Sequence, residues 1–100
     1  MSAIKVTKEN FDELINSENT TLLDFYADWC GPCRMLGPVI EEIAEEKKDI
    51  NVGKINVDAN KELANKFSVR SIPTMIVFKN GKEIKRLVGF LPKEEILSKL

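Results

Sequence analysis

The feature that most constrains the fold is a run of seven residues, TLLDFYA, at positions 21–27. The run is apolar at nearly every position, whereas a strand with one solvated face would alternate apolar and polar residues. A nearly continuous apolar pattern is typical of a strand that is covered on both faces, in a sheet that carries helices on both sides. The run therefore predicts a protein of the α/β class.

The rest of the chain predicts the order βαβαβ followed by αββα, which gives a mixed sheet flanked by α-helices and ending in an antiparallel hairpin. Thr7 and Asp58 are the expected caps of the first and third helices, and Pro92 is expected to open the last. Asn80-Gly81 predicts the tight turn of the hairpin. The other strand candidates are residues 4–6, 50–57, 74–79 and 82–88. One hundred residues fit a single domain spanning 1–100.

A long helix is predicted after residue 30, because apolar residues recur there at helical spacing. Pro38 lies inside this stretch and should kink the helix, since proline removes one backbone donor and clashes with the preceding turn. The residues expected on the apolar face are Met35, Leu36, Val39, Ile40, Ile43 and Ala44.

Composition excludes several classes of function. The chain has no histidine, which excludes histidine-based catalysis. Its net charge of −1 gives no overall electric field that would attract nucleic acid. The longest apolar run, residues 75–78, is far too short to cross a membrane, and the five glycines are too scattered for a nucleotide-binding loop. No secretory leader is recognisable at residues 1–9, so we expect a cytoplasmic protein. Two cysteines cannot close a zinc site alone, so neither metal nor cofactor is expected.

The two cysteines, Cys30 and Cys33, lie between the buried strand and the first turn of the long helix. Free N–H groups and the positive end of the helix dipole stabilise an anion there, so a thiolate forms more readily. Cys30 should precede the helix and face solvent, whereas Cys33 should point inward. Gly31 permits the turn, and Pro32 presets the helical backbone angle. A nucleophile with a second thiol in bonding reach suits disulfide exchange.

Two other interpretations of the cysteine pair remain open on the residues alone. A structural disulfide closing so short a loop would contribute only about 2 kcal/mol, and cytosolic proteins seldom keep one. A partner chain could also complete a zinc site, which would make the protein a non-catalytic interaction module. The spacing and the strand-to-helix position together favour redox chemistry.

The segment DFYADWCGPCR at positions 24–34 closely resembles the active-site segment of the thioredoxin family. The resemblance extends along the chain, through Pro38, KINVD at 54–58, SIPT at 71–74, NGK at 80–82 and Val88-Gly89. Tyr26 departs from the many bacterial members that carry tryptophan there. Disulfide isomerases and periplasmic oxidases usually carry histidine beside the second cysteine, so its absence favours a protein-disulfide reductase.

The resemblance implies a role for each of four residues. Cys30 would be the attacking thiolate and Cys33 the resolving thiol, and the two would be joined as a disulfide after turnover. Asp24 resembles a buried carboxylate that assists proton transfer, and desolvation should raise its pKa; the alternative is a carboxyl group satisfied by backbone donors. Lys54 resembles a neighbouring lysine, and the alternative is an exposed lysine at a strand edge.

The resemblance also implies a surface on which target proteins dock. Pro73 resembles a cis-proline that faces the cysteines. Trp29 resembles an exposed residue of the same surface, whereas the residue type taken alone would predict a position in the core. The implied partners are disulfide-containing proteins and a thioredoxin reductase, and the expected state is a monomer. The residues expected on the docking surface are Trp29, Gly31, Pro32, Ile72, Pro73 and Gly89.

Overall fold

A computed structural model describes residues 2–100 of the chain. Within them, five strands and four helices follow one another in the predicted order. The elements are β1 (Ile4–Lys5), α1 (Phe11–Ile15), β2 (Thr21–Tyr26), α2 (Gly31–Glu46), β3 (Asn51–Asn56), α3 (Lys61–Lys66), β4 (Thr74–Lys79), β5 (Lys82–Val88) and α4 (Lys93–Leu97).

The five strands form one mixed sheet in the order β1-β3-β2-β4-β5. β3 pairs in parallel with both β1 and β2, and β4 pairs antiparallel with β2 and β5. β2 therefore lies at the centre, and its first five residues are buried. This confirms that the apolar run at 21–27 forms a strand covered on both faces.

Two apolar clusters fill the space on either side of the sheet, because alternate residues of β2 point to opposite faces. Leu23 and Phe25 pack with residues of α1 and α3, whereas Leu22 packs with residues of α2 and α4. The first cluster contains Val6, Phe11, Ile15, Leu23, Phe25, Ile55, Leu63, Ile76 and Phe78, and the second Leu22, Leu36, Ile40, Ile43, Ala44, Val52, Met75, Val77 and Ile96.

The expected caps of α1 and α3 are wrong as the N-cap positions, although the Thr7 hydroxyl accepts the Glu9 N–H at 3.3 Å in the turn before α1. α1 begins after Asn10 because residues 7–10 form a turn, in which the carbonyl of Thr7 accepts the Asn10 N–H at 3.2 Å. α3 begins after Asn60, two residues beyond Asp58. The side-chain oxygen of Asn56 accepts the Asp58 N–H at 2.9 Å and closes a turn before the helix starts.

The long helix α2 is continuous through Pro38 and buries Cys33, Leu36, Ile40, Ile43 and Ala44. Met35 does not belong to this face: it is 63% exposed. Residue 35 follows the buried Cys33 by two positions, which is about 200° around a helix, so the two side chains point in nearly opposite directions. Helical spacing alone therefore placed Met35 wrongly.

The β4–β5 hairpin turns at Asn80 and Gly81, which have φ angles of 51° and 82°, as the sequence predicts. The Gly81 N–H donates to the carbonyl of Ile15 at 2.8 Å, so the turn is fastened to the end of α1. A Cβ at position 81 would collide with the Asn16 side chain. The Asn16 side chain could move aside, so the positive φ angle is the main reason for glycine at this position.

Candidate active site

The two cysteines lie at the start of α2 and are joined by a disulfide bond. Cys30 is the N-cap residue, with extended backbone angles of −93° and 114°, and Cys33 belongs to the first helical turn. This turn brings the two Cα atoms to 5.2 Å, within the usual range for a disulfide. The bond is the oxidised form of the exchange that the spacing of the cysteines predicts.

The sulfur of Cys30 is surrounded by polar backbone groups. It accepts the N–H of Cys33 at 3.2 Å and lies 3.7 Å from the carbonyl oxygen of Ile72. The expectation that Cys30 faces solvent is wrong for this disulfide state: Cys30 is 5% exposed and Cys33 is 4% exposed. The first turn of α2 and the loop at Ile72 together cover the bond.

That loop contains the one cis peptide bond of the described residues, Ile72-Pro73. The conformation agrees with the expectation from the family resemblance. The Gly89 N–H donates to the carbonyl of Pro73 at 2.8 Å, so the end of β5 is held next to the proline. The Thr74 hydroxyl donates to the carbonyl of Ser71 at 2.6 Å and closes the loop from the other side.

Trp29 precedes the cysteines and is 71% exposed, so the alternative of a core tryptophan is wrong. Its indole N–H donates to a carboxylate oxygen of Asp58 at 2.9 Å. Pro32 is also exposed, and a Cβ at Gly31 would meet nothing within 4 Å, so this side of the turn is open to solvent.

Asp58 is a residue of the site that the sequence did not identify. It was expected to cap α3, and the structure places it against Trp29, 29 residues away. A contact at such a distance along the chain leaves no local pattern, so only the folded geometry could assign it.

Asp24 lies in the centre of β2 and is fully buried. Neither carboxylate oxygen has a hydrogen-bond partner within residues 2–100, so the alternative of a carboxyl group satisfied by backbone donors is wrong. Burial raises the pKa of Asp24 from 3.8 to about 7, because the apolar surroundings disfavour the charged form, and the charge of Lys54 partly opposes this effect. The carboxyl group can therefore gain or lose a proton near neutral pH.

Lys54 lies directly opposite Asp24 in the parallel pairing of β2 and β3. β3 has a neighbouring strand on each side, so the alternative of a lysine at a sheet edge is wrong. Both side chains lie on the α2 side of the sheet, since a Cβ placed on Gly37 of α2 would be 4.0 Å from Lys54 Nζ. The buried carboxyl group and its nearby cation thus lie beneath the helix that begins at the cysteines.

The described residues contain no group of three or more histidine, cysteine, aspartate or glutamate side chains that could hold a metal ion. Within residues 2–100, the helices are all too short or too polar to cross a membrane.

Comparison with known proteins identifies the family. A family model described as Thioredoxin matches residues 2–100. A thioredoxin from Alicyclobacillus acidocaldarius is 45% identical over 100 residues, covering 99% of this chain and 95% of the relative. A thioredoxin from Staphylococcus haemolyticus is 52% identical over 99 residues, covering 96% of this chain and 92% of the relative.

Among solved structures, a mutant thioredoxin from Halobacterium salinarum NRC-1 superposes with a TM-score of 0.92 at 37% identity, covering 98% of this chain and 87% of that one. The expected fold is therefore confirmed. The cysteine pair at disulfide distance agrees with the chemistry of this group, in which a dithiol reduces disulfide bonds of target proteins and is recycled by a reductase. This chain belongs to the thioredoxin family and is a thiol-disulfide oxidoreductase.

Proposed function

We propose that Cys30 is the nucleophile, Cys33 the resolving thiol and Asp24 the proton acceptor in the reduction of protein disulfides. The observation that carries this assignment is the position of Cys30 at the N-cap of α2, where its sulfur accepts the Cys33 N–H. A negative charge on that sulfur is stabilised by the same N–H and by the helix dipole. Cys33, one turn further along, lies where it can attack the sulfur of Cys30.

The reaction proceeds in two exchanges. The Cys30 thiolate attacks one sulfur of the target disulfide, forming a mixed disulfide and releasing the other target sulfur as a thiolate, which takes up a proton. Cys33 then gives its proton to the Asp24 carboxylate and attacks Cys30. The second target sulfur leaves as a thiolate and takes up a proton, and Cys30–Cys33 becomes the new disulfide. Two electrons pass from this dithiol to the target, and a reductase restores them.

The proposed docking surface combines the exposed residues around the cysteines with the loop that covers them. Trp29, Pro32 and the bare backbone of Gly31 supply a solvent-facing side. Ile72 and Gly89, both half-buried, supply the opposite side, and Pro73 lies buried between them with its carbonyl bonded to the Gly89 N–H. Pro73 therefore contributes to the proposed surface chiefly through its backbone. An extended segment of a target could lie between the two sides with its disulfide above Cys30.

We further propose that residues 1–100 act as one domain and as a monomer. One five-stranded sheet with an apolar cluster on each face supports a single domain, and the elements that carry the proposed site all pack on that same sheet, which is compatible with a monomer. A reductant of protein disulfides needs a compartment in which its thiols can be kept reduced, which supports a cytoplasmic location. A thioredoxin reductase is the proposed source of electrons.

The assignment of the nucleophile predicts that Cys30 of the reduced protein reacts first with an alkylating reagent near neutral pH. The two sulfurs are almost equally buried, so access does not favour either, and the difference should come from the thiolate at the helix start. A limiting amount of iodoacetamide, followed by peptide mapping, measures the ratio. Preferential labelling of Cys33 would reverse the two roles.

The docking surface predicts that Asp58→Ala raises the KM for a protein disulfide about two- to fivefold with little change in kcat, since the Trp29 indole loses one hydrogen-bond acceptor at the surface. Glu62→Ala is the matched control, because Glu62 is an exposed carboxylate nearby on α3 with no bond to Trp29. Insulin reduction with dithiothreitol as the electron source gives both constants. An unchanged KM for Asp58→Ala would mean that the bond to Asp58 does not orient Trp29 for target docking.

A further inference from the structure

A groove of about 690 Å³ is lined by residues of β2, β3 and α3. Two of its lining residues, Tyr26 and Lys54, are the neighbours of Asp24 in the sheet. Lys54 lies opposite Asp24 on β3, and Tyr26 follows Asp24 by two positions on β2 and so projects from the same face. The Lys54 ammonium can therefore lie either close to the Asp24 carboxyl group or in the solvent that fills the groove.

The structure places the ammonium against the ring of Tyr26. Lys54 Nζ lies 4.9 Å from the centroid of the Tyr26 ring, within the range of a cation–π contact. The same nitrogen would lie 4.0 Å from a Cβ placed on Gly37, so it also lies near α2. Within residues 2–100, no carboxylate comes within 4.0 Å of this nitrogen, so the ring is the specific partner that holds it.

We propose that Tyr26 is a positioning residue: its ring holds the Lys54 ammonium beside Asp24 and so keeps the carboxylate available to accept the proton of Cys33. This inference rests on the proposed role of Asp24 and adds a residue that acts through Lys54. The ring itself need not touch the reacting sulfurs.

The electrostatics agree with this geometry. The charge of Lys54 lowers the pKa of Asp24 against the larger effect of desolvation. If the ammonium moved into the groove, the distance and the surrounding water would both weaken its effect on the carboxylate. Burial and the negative charge of Asp28 raise the pKa of Tyr26, so its hydroxyl stays neutral near pH 7. The other charged groups that line the groove are Lys5, Lys8, Glu9, Asp58, Lys61 and Glu62.

The test follows the titration of the Asp24 carboxyl carbon by NMR in the oxidised protein. Tyr26→Leu keeps an apolar side chain but removes the ring, and we expect the pKa of Asp24 to rise by about 0.4, which at pH 7 lowers the carboxylate fraction about twofold. Tyr26→Phe and Tyr26→Trp keep a ring and should leave the titration unchanged. Tyr26→Met serves as a second ring-free variant if the leucine variant folds poorly.

The direction in which the pKa of Asp24 changes distinguishes a positioning role of Tyr26 from simple shielding of the carboxyl group by the ring. If the ring only covered Asp24, its removal would admit water and lower the pKa of the carboxyl group. In a Lys54→Met background the ring has no ammonium to hold, so Tyr26→Leu should give no further rise. A fall, no change, or an equal rise in the Lys54→Met background would overturn the proposal.

The titration does not depend on turnover, so this inference and the proposed role of Asp24 can fail separately. If Tyr26→Leu raises the pKa of Asp24 but Asp24→Asn resolves mixed disulfides at the normal rate, the positioning is correct and the catalytic assignment is wrong. If both hold, Tyr26→Leu should also slow resolution about twofold at pH 7 and have no effect well above the pKa of Asp24.

Discussion

Cys33→Ser is expected to turn the protein from a reductase that releases its targets into one that stays covalently attached to them. Cys30 keeps its place at the start of α2 and can still attack a target disulfide. The serine hydroxyl cannot complete the second exchange, because that step requires a thiolate in reach of the mixed disulfide. Incubation with disulfide-containing proteins, acid quenching and non-reducing gels should reveal adducts that dithiothreitol removes.

Cys30→Ser is the matched control and should form few such adducts. The remaining Cys33 thiol lies inside the first helical turn rather than at the N-cap, so its thiolate is stabilised less and should attack a target more slowly. Equal trapping by the two variants would mean that the cysteines are equivalent, and the division into nucleophile and resolving thiol would then be wrong.

Asp24→Asn is expected to stabilise the folded protein at and above neutral pH. The folded pKa of about 7 lies above the unfolded value of 3.8, so the native state binds more protons between these values. The stability associated with the protonated carboxyl group is fully present below pH 3.8 and is lost as pH rises through 7. A difference of about three pKa units corresponds to about 4 kcal/mol in the free energy of unfolding. The asparagine variant has no carboxyl group to ionise, so it should not lose this stability as pH rises.

Denaturant melts at a series of pH values measure this difference. The asparagine variant should gain stability over the wild type as pH rises from 4 to 8, and the two proteins should converge at the acid end. The same variant should resolve mixed disulfides more slowly, since it cannot accept the Cys33 proton. A large loss of stability in the variant at pH 8 would instead identify Asp24 as a structural residue.

Elements with strong patterns could be predicted from the sequence closely. β4 and β5 have the predicted bounds, because an apolar run and the Asn80-Gly81 turn fix where each begins and ends. The burial of β2 on both faces followed from its unbroken apolar run. These patterns are local, and the forces that they reflect act within a few residues.

The helix starts could not be predicted as well. Thr7 and Asp58 are good capping residues, yet at each start a turn precedes the helix, and an asparagine a few residues on takes the N-cap position. The choice between two capping residues depends on small energy differences that the tertiary structure decides. Met35 was misplaced for a related reason: one apolar residue can fit the edge of a helical stripe and still face solvent.

Some features of the site could likewise be predicted from the sequence, and others could not. The position of the cysteines between a buried strand and a helix start could be inferred from neighbouring residues. The cis bond before Pro73 followed only from the family resemblance, because a proline alone predicts trans. No local pattern encodes the bond from Trp29 to Asp58 or the contact of Lys54 with Tyr26, because each joins elements far apart in the chain. The lack of a hydrogen-bond partner for Asp24 within residues 2–100 likewise depends on the packing of several elements.

The central position of β2 determines how readily its amide hydrogens exchange with solvent. Its amide hydrogens are shielded by a paired strand on each side and by packed helices on both faces, so they can exchange with solvent only when most of the domain opens. The two-residue β1 and the outer strand β5 lie at the edges and can fray at far lower free energy. The cysteines follow directly from the part of the sheet that opens last. The geometry of the reacting sulfurs is therefore preserved while the edges of the sheet open and close.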